Sequence, residues 1–185
     1  AANLANDLKT DLHLLYVQNP EAYSLATPEA AGAMTVPIQK GLEELAEKAK
    51  DSLDKIAKEV KTELSLNVSI DSSSEIGVTK FIVEKLVSEN LVHMVIVDSK
   101  EDVSFWEQSS NNMDIIYGID CPVWVVPFGA KYQPYKKIVY ATNYKEEDIT
   151  TLKKLLKLTE NYKPEIVALH ITDTTDFEEN VKTRG

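Results

Sequence analysis

The chain has 185 residues, a formal net charge of −10 and a sequence pI near 4.8. That is one large domain, or one domain and part of a second, long enough for a sizeable core and repelled by nucleic acid and anionic membranes. The single cysteine, Cys121, allows no internal disulfide and suits a reducing cytoplasm. No apolar run approaches the ~20 residues of a membrane span, and the opening "AANLANDLKTDLHLLYV" lacks the basic start of a signal peptide.

Leu12–Val17, "LHLLYV", is an almost unbroken apolar run, the pattern of a strand covered on both faces. Residues 18–36 contain Pro20, Pro28 and Gly32 and read as a loop. Pro37 suits the first turn of a helix; Ile38, Leu42, Leu45, Ala49, Leu53, Ile56 and Val60 follow as one stripe along it. "LSLNVSI", Leu64–Ile70, alternates and reads as an edge strand with one wet face. Ser72 and Glu75 have capping-box spacing for a helix carrying Ile76, Phe81, Ile82 and Leu86 to about Asn90. "LVHMVIV", Leu91–Val97, reads as a fully apolar strand, and a short helix near Met113–Tyr117 leads to the strand "PVWVVP". "KKIVYAT", Lys136–Thr142, is a further strand. Ile149, Leu152 and Leu155 or Leu156 mark a helix, and "EIVALHI", Glu165–Ile171, is the last strand.

Strands alternating with helices predict an α/β fold, a mostly parallel sheet with helices on both faces. Ligands of such sheets bind at the carboxyl ends of the strands, so the loops to inspect follow Val17, Val97, Val126, Tyr140 and Ile171.

The chain also repeats itself. "LANDLKTDLHLLYVQN" and "LTENYKPEIVALHITD" show the same order of helix end, polar gap, strand and polar exit. An offset of 154 residues pairs Leu4 with Leu158, Asp7 with Asn161, Lys9 with Lys163, Leu15 with Leu169 and Asn19 with Asp173. On this reading the chain begins inside one module, after that module's first strand, and ends inside a second. The natural protein is then longer at both ends.

The pieces "DLHLLYVQNP", "VHMVIVDS", "IDCPVWVVP", "KKIVYATNYKEED" and "PEIVALHITD" resemble the universal stress protein family, over nearly the whole chain. The resemblance implies an adenine nucleotide alpha hydrolase-like fold, a parallel five-stranded sheet in the order 3-2-1-4-5. It also implies frequent homodimers and, in many members, ATP binding. It assigns residues 1–127 to a first module lacking its opening strand, 128–135 to a linker and 136–185 to the beginning of a second module. Because the missing strand is the central one, its absence leaves two unpaired edges. "KKIVYAT" has the character to fill the gap, within the chain or in a partner chain as a strand swap.

Family members that bind ATP carry Gly-x-x-Gly after the fourth strand, and later a third glycine followed by Ser or Thr. The glycines let backbone N–H groups reach phosphate oxygens. Here Asp98 and Glu101 stand at the first two glycines, with Asp102 beside them. The third falls near Ser109 or Asn111, leaving Ser110 or Asn112 as the hydroxyl substitute. Each carboxylate facing a phosphate at ~4 Å costs ~1 kcal/mol in water and more in a drier cleft, so the phosphate cradle is expected to be lost. A divalent cation on Asp98, Glu101 or Asp102 would restore it, but adjacent acids in a loop are ordinarily solvated and no metal is expected. The aspartate that closes the family's opening strand is Asn143 here, readable as a base contact or as a turn residue. Were a nucleotide to bind, Asn143, Ser99 and Ser110 are the residues to contact it.

The remaining candidates have plainer readings. His13, His93 and His170 fall in predicted strands with no metal-ligand spacing, and Cys121 has no basic neighbour to activate it. Ser72–Ser74 lack the glycines of a nucleophile elbow. Phe105 and Trp106, in the acidic loop, read as core packing, or as residues that cover the empty cleft or meet a partner. The expected function is a non-enzymatic, cytoplasmic stress-response module that works by regulation or protein contact. It would have a degenerate ATP site and no cofactor, and act as a homodimer or with an unidentified protein partner. The alternative is a nucleotide-binding protein or weak ATPase using Asn143 and a rearranged loop.

Overall fold

The computed structural model describes residues 1–20, 35–98 and 110–171, with backbone alone at 35–39 and 110–112. They fall into two units, Ala1–Lys131 and Tyr132–Gly185. The first contains α1 (Ala2–Leu8), β1 (Leu12–Gln18), α2 (Thr35–Glu63), β2 (Ile70–Ile76), α3 (Thr79–Ser88), β3 (Val95–Asp98), α4 (Ser110–Gly118) and β4 (Val123–Val126). The second contains β5 (Lys137–Ala141), α5 (Glu146–Leu158) and β6 (Glu165–Leu169).

Every described strand pair is parallel. β1 pairs with β2 from Leu12–Ile70 to Gln18–Ile76, β3 with β4 from Val95–Val123, and β5 with β6 from Lys137–Glu165. The architecture is therefore α/β with parallel strands and crossover helices, as the sequence implied. The strands form three two-stranded sheets rather than one five-stranded sheet. β5 pairs with β6; Val139 is 58% exposed and Ile138 is partly covered.

α2 runs for 29 residues, and its inner side carries Leu42 and Ala57, both buried, with Ala46, Ala49, Leu53 and Val60 partly covered. Leu45 and Ile56, placed on the apolar stripe by their spacing, spill onto the outer flank. A straight α-helix drifts relative to a strict seven-residue repeat, so the covered line moves onto the neighbouring alanines. Asp54 accepts a hydrogen bond from Ser72 of β2 and pairs with Lys50 at 2.8 Å, fixing α2 to the Ser72 face of the strand.

The predicted strand Leu64–Ile70 is a connection instead, and β2 begins at its last residue. Ser65 takes a left-handed conformation (φ 50°) just after α2, which breaks extended pairing. Leu66 and Val68 then drop into a small core with Ala5, closed by Ala2, Leu12, Val60 and Ile70. Alternation here reflects burial against α1 rather than a strand. Asn6 and Asp11 side chains hold the connection by accepting from the amides of Asn67 (3.2 Å) and Ser69 (3.0 Å). Ser72 and Glu75 lie within β2, so they cap nothing; α3 starts only after Gly77, whose φ of 155° would strain a side chain. α3 ends on Asn90 in the left-handed region (φ 55°), with Leu91 N–H closing on the Leu86 carbonyl at 3.1 Å. This consumes the first residues of the predicted strand at Leu91, and β3 begins at Val95.

The turns at the two paired lysines match. Lys9 after α1 (φ 53°) and Lys163 after α5 (φ 47°) are both left-handed, and each precedes a strand. One turn earlier, the paired positions Ala5 and Thr159 are both buried.

Leu66→Ala is expected to cost the first unit about 2–5 kcal/mol, the range for deleting a buried leucine side chain. Leu64→Ala, at a residue 44% exposed, should cost well under half of that. Urea unfolding of the two variants decides it, and equal losses would contradict the core as described.

Candidate functional site

The carboxyl end of β5 turns directly into α5, the geometry in which helix N-terminal amides usually meet an anion. The turn is Thr142–Lys145. Thr142 N–H continues the sheet ladder to the Leu169 carbonyl at 2.9 Å, and His170 lies beside it at the end of β6. The His170 Nδ1 sits 2.7 Å from the Thr142 carbonyl oxygen. A carbonyl only accepts, so Nδ1 carries the proton. Tyr144 is left-handed (φ 61°), its N–H donates to Thr142 Oγ1 at 3.0 Å, and its ring lies 4.5 Å from the His170 ring at a tilt of 42°.

The centre of this turn is a carboxylate. Asp148 Oδ2 accepts from the Thr142 hydroxyl (2.7 Å), the Asn143 N–H (3.2 Å) and the Lys145 N–H (3.1 Å). Its Oδ1 and main-chain oxygen share the Tyr140 hydroxyl at 3.2 Å. Lys145 is the residue preceding the helix and Asp148 the third within it, so the contact is the returning half of a capping box. The Thr142 hydroxyl lowers the Asp148 pKa below its ordinary 3.8; partial burial opposes this and the Lys145 and Asn143 amides reinforce it. The same carboxylate, after desolvation, holds the Tyr140 hydroxyl above its ordinary value. Glu146 and Glu147 add two more acids to the first turn, complementing the helix dipole from within the chain.

Asn143 is therefore a turn residue. Its amide serves Asp148, and its Oδ1 accepts weakly from Lys145 N–H at 3.4 Å. Asp98 closes β3 at the carboxyl end, with its side chain exposed. Ser99, Glu101, Asp102, Phe105, Trp106 and Ser109 lie outside the described residues, as do the side chains of Ser110, Asn111 and Asn112. Among the histidines only His13 is within a strand, its Nε2 2.8 Å from Ser73 Oγ; His93 precedes β3 and His170 follows β6. Burial raises the pKa of the Cys121 thiol, away from reactivity. Asp148 was the residue that motif reasoning missed, although an acid three places after Lys145 in "YKEED" is its signal. A cleft of about 410 Å³ lies between the ends of α3 and α4, lined by Glu84, Ser88, Asn90, Gly118 and Asp120. Its residues lead into β3 and β4, so it sits at the amino ends of the strands, opposite the end where such sheets bind ligands. No described helix is long and apolar enough to cross a membrane.

No family model matches the sequence, and no curated protein matches it. Among solved structures, universal stress protein UspA from Lactobacillus plantarum superposes with a TM-score of 0.53 at 19% identity, covering 68% of this chain and 83% of that one. A functionally unknown protein from Pseudomonas aeruginosa PAO1 gives 0.58 at 15% identity, covering 99% of this chain; this chain spans 58% of its length. These parallel strand pairs with crossover helices define an α/β protein. Its fold is universal stress protein-like.

A depressed carboxylate pKa stabilises the folded state above its unfolded value, and that contribution disappears as pH falls through the folded value. For Asp148 the loss falls below pH 3.8, its ordinary pKa. Asp148→Asn should therefore flatten the acid limb of the second unit's unfolding midpoint against pH and lower the midpoint at neutral pH. An acid limb unchanged by the substitution would remove Asp148 from the centre of the turn.

Proposed function

We propose that this chain is a universal stress protein-like regulatory or interaction module, non-enzymatic, with a degenerate nucleotide site. The observation that carries this reading is the occupied turn: the Asn143 and Lys145 amides are committed to Asp148. A nucleotide contacting this turn through Asn143 would have to displace that carboxylate and bring its charge near Glu146 and Glu147 as well. The sequence adds Asp98 and Glu101 where a phosphate loop carries glycine. The fold shared with UspA supports the family setting.

We read β5–α5–β6 as the opening of a second copy of the same module. The matched left-handed turns at Lys9 and Lys163 support this, as does the fit of 99% of this chain within one longer chain. Assembly as a homodimer is the partner reading. It is supported by apolar side chains left open on one face of β5–β6, Val139, Val167 and Leu169, and sedimentation equilibrium reads it directly. A purely monomeric chain would oppose it.

A specific observation favours the alternative of nucleotide binding. The Tyr144–His170 ring pair sits at the carboxyl ends of β5 and β6, where a base could stack. Thermal unfolding with and without Mg-ATP separates the two. A ligand at 100 times its dissociation constant adds ~2.7 kcal/mol, several degrees of midpoint at ~2–4 °C per kcal/mol. The degenerate reading expects no rise in the wild type and a measurable one in Asp98→Gly/Glu101→Gly. A rise in the wild type would move the function to nucleotide binding.

A further inference from the structure

We propose that Tyr132 and Tyr162 form an oxidative modification site, where a one-electron oxidant couples the two rings into an intrachain dityrosine. Their hydroxyl oxygens are 2.8 Å apart, and the Tyr135 ring stands edge-on to Tyr162 with centroids 5.4 Å apart. Tyr132 is 37% exposed, so a diffusing oxidant reaches it. Tyr162 is anchored: its N–H donates to the Thr159 carbonyl at 3.0 Å, and Thr159 is buried with its hydroxyl on the Leu155 carbonyl. The pair thus joins an accessible ring to one carried on an anchored stretch of backbone.

Coupling requires bonding between ring carbons adjacent to those that bear the hydroxyls. Contact between the two oxygens brings those carbons within reach of a rocking motion of Tyr132. Each phenol gives one electron to the oxidant and one proton to solvent. The two tyrosyl radicals then join through a single carbon–carbon bond, and each joined carbon passes its hydrogen to its own oxygen, restoring aromaticity. The net change is loss of two electrons and two protons, taken up by two equivalents of a one-electron oxidant such as a peroxidase intermediate. Tyr16 and Tyr140 direct their hydroxyls to Gln18 and Asp148 instead, so the 8 tyrosines are not equivalent. The bond would close a loop containing β5 and α5 and pin the segment that enters the second unit. This proposal stands independently of the nucleotide reading.

The test is photo-oxidation of the dilute full chain with a ruthenium tris-bipyridyl sensitiser and persulfate. Dityrosine fluorescence and mass spectrometry of proteolytic fragments are the readouts. The expected product is a monomer lighter by two hydrogens, with one dominant cross-link joining the Tyr132 and Tyr162 peptides. Tyr132→Phe and Tyr162→Phe should remove most of the fluorescence, Tyr135→Phe should leave it, and prior unfolding in urea should abolish the selectivity. Cross-links spread over other tyrosines, full yield in Tyr132→Phe, loss in Tyr135→Phe, or the same product in urea would each overturn the proposal.

Discussion

Two parallel strands cannot be joined by a tight turn, and every described strand pairing in this protein is parallel. The rest of the structure follows from that constraint. α2 carries the chain from β1 to β2, α4 from β3 to β4 and α5 from β5 to β6. The longest of these, α2, packs one side against β1 and β2. That is why α2 turns Leu42 and Ala57 inward, and why Asp54 meets Ser72 where the helix crosses β2. The β5–α5 crossover also sets a helix N-terminus after a strand's carboxyl end, where a ligand would find unpaired amides.

In the β5–α5 turn the chain fills them itself. Asp148 gathers two backbone amides, the Thr142 hydroxyl and the Tyr140 hydroxyl. A carboxylate in that place satisfies the same donors that an anion would. Glu146 and Glu147 add further negative charge to the first turn of α5. The chain thus keeps a universal stress protein-like fold and satisfies the amides of this turn from within.

Much of the fold was legible because burial on a regular element leaves a period in the sequence. β1, β4, β5 and β6 lie within their predicted apolar runs or extend them by one residue, and α2 and α5 form where the apolar spacing placed helices, although Leu45, Ile56 and Ile149 of those stripes are exposed. The failures share one cause: a local period does not say what it packs against. "LSLNVSI" alternates because Leu66 and Val68 face Ala5, not because it pairs with a strand. "IDSSSEI", a strand made mostly of polar residues, looked like a helix start, because pairing with β1 and contact with Asp54 hold it extended. Of the site, the place of Asn143 in a turn before α5 was legible from its type. Asp148 and His170 were not, because their roles depend on the turn bringing residues 142, 148 and 170 together.

The claim that this turn is internally satisfied has a direct reporter in the backbone N–H resonances of Asn143 and Lys145. The account expects both to shift together as Asp148 is protonated at acid pH and neither to move on addition of millimolar Mg-ATP at neutral pH. Saturable shifts of these two signals with Mg-ATP would show the amides released to a phosphate, and would contradict it.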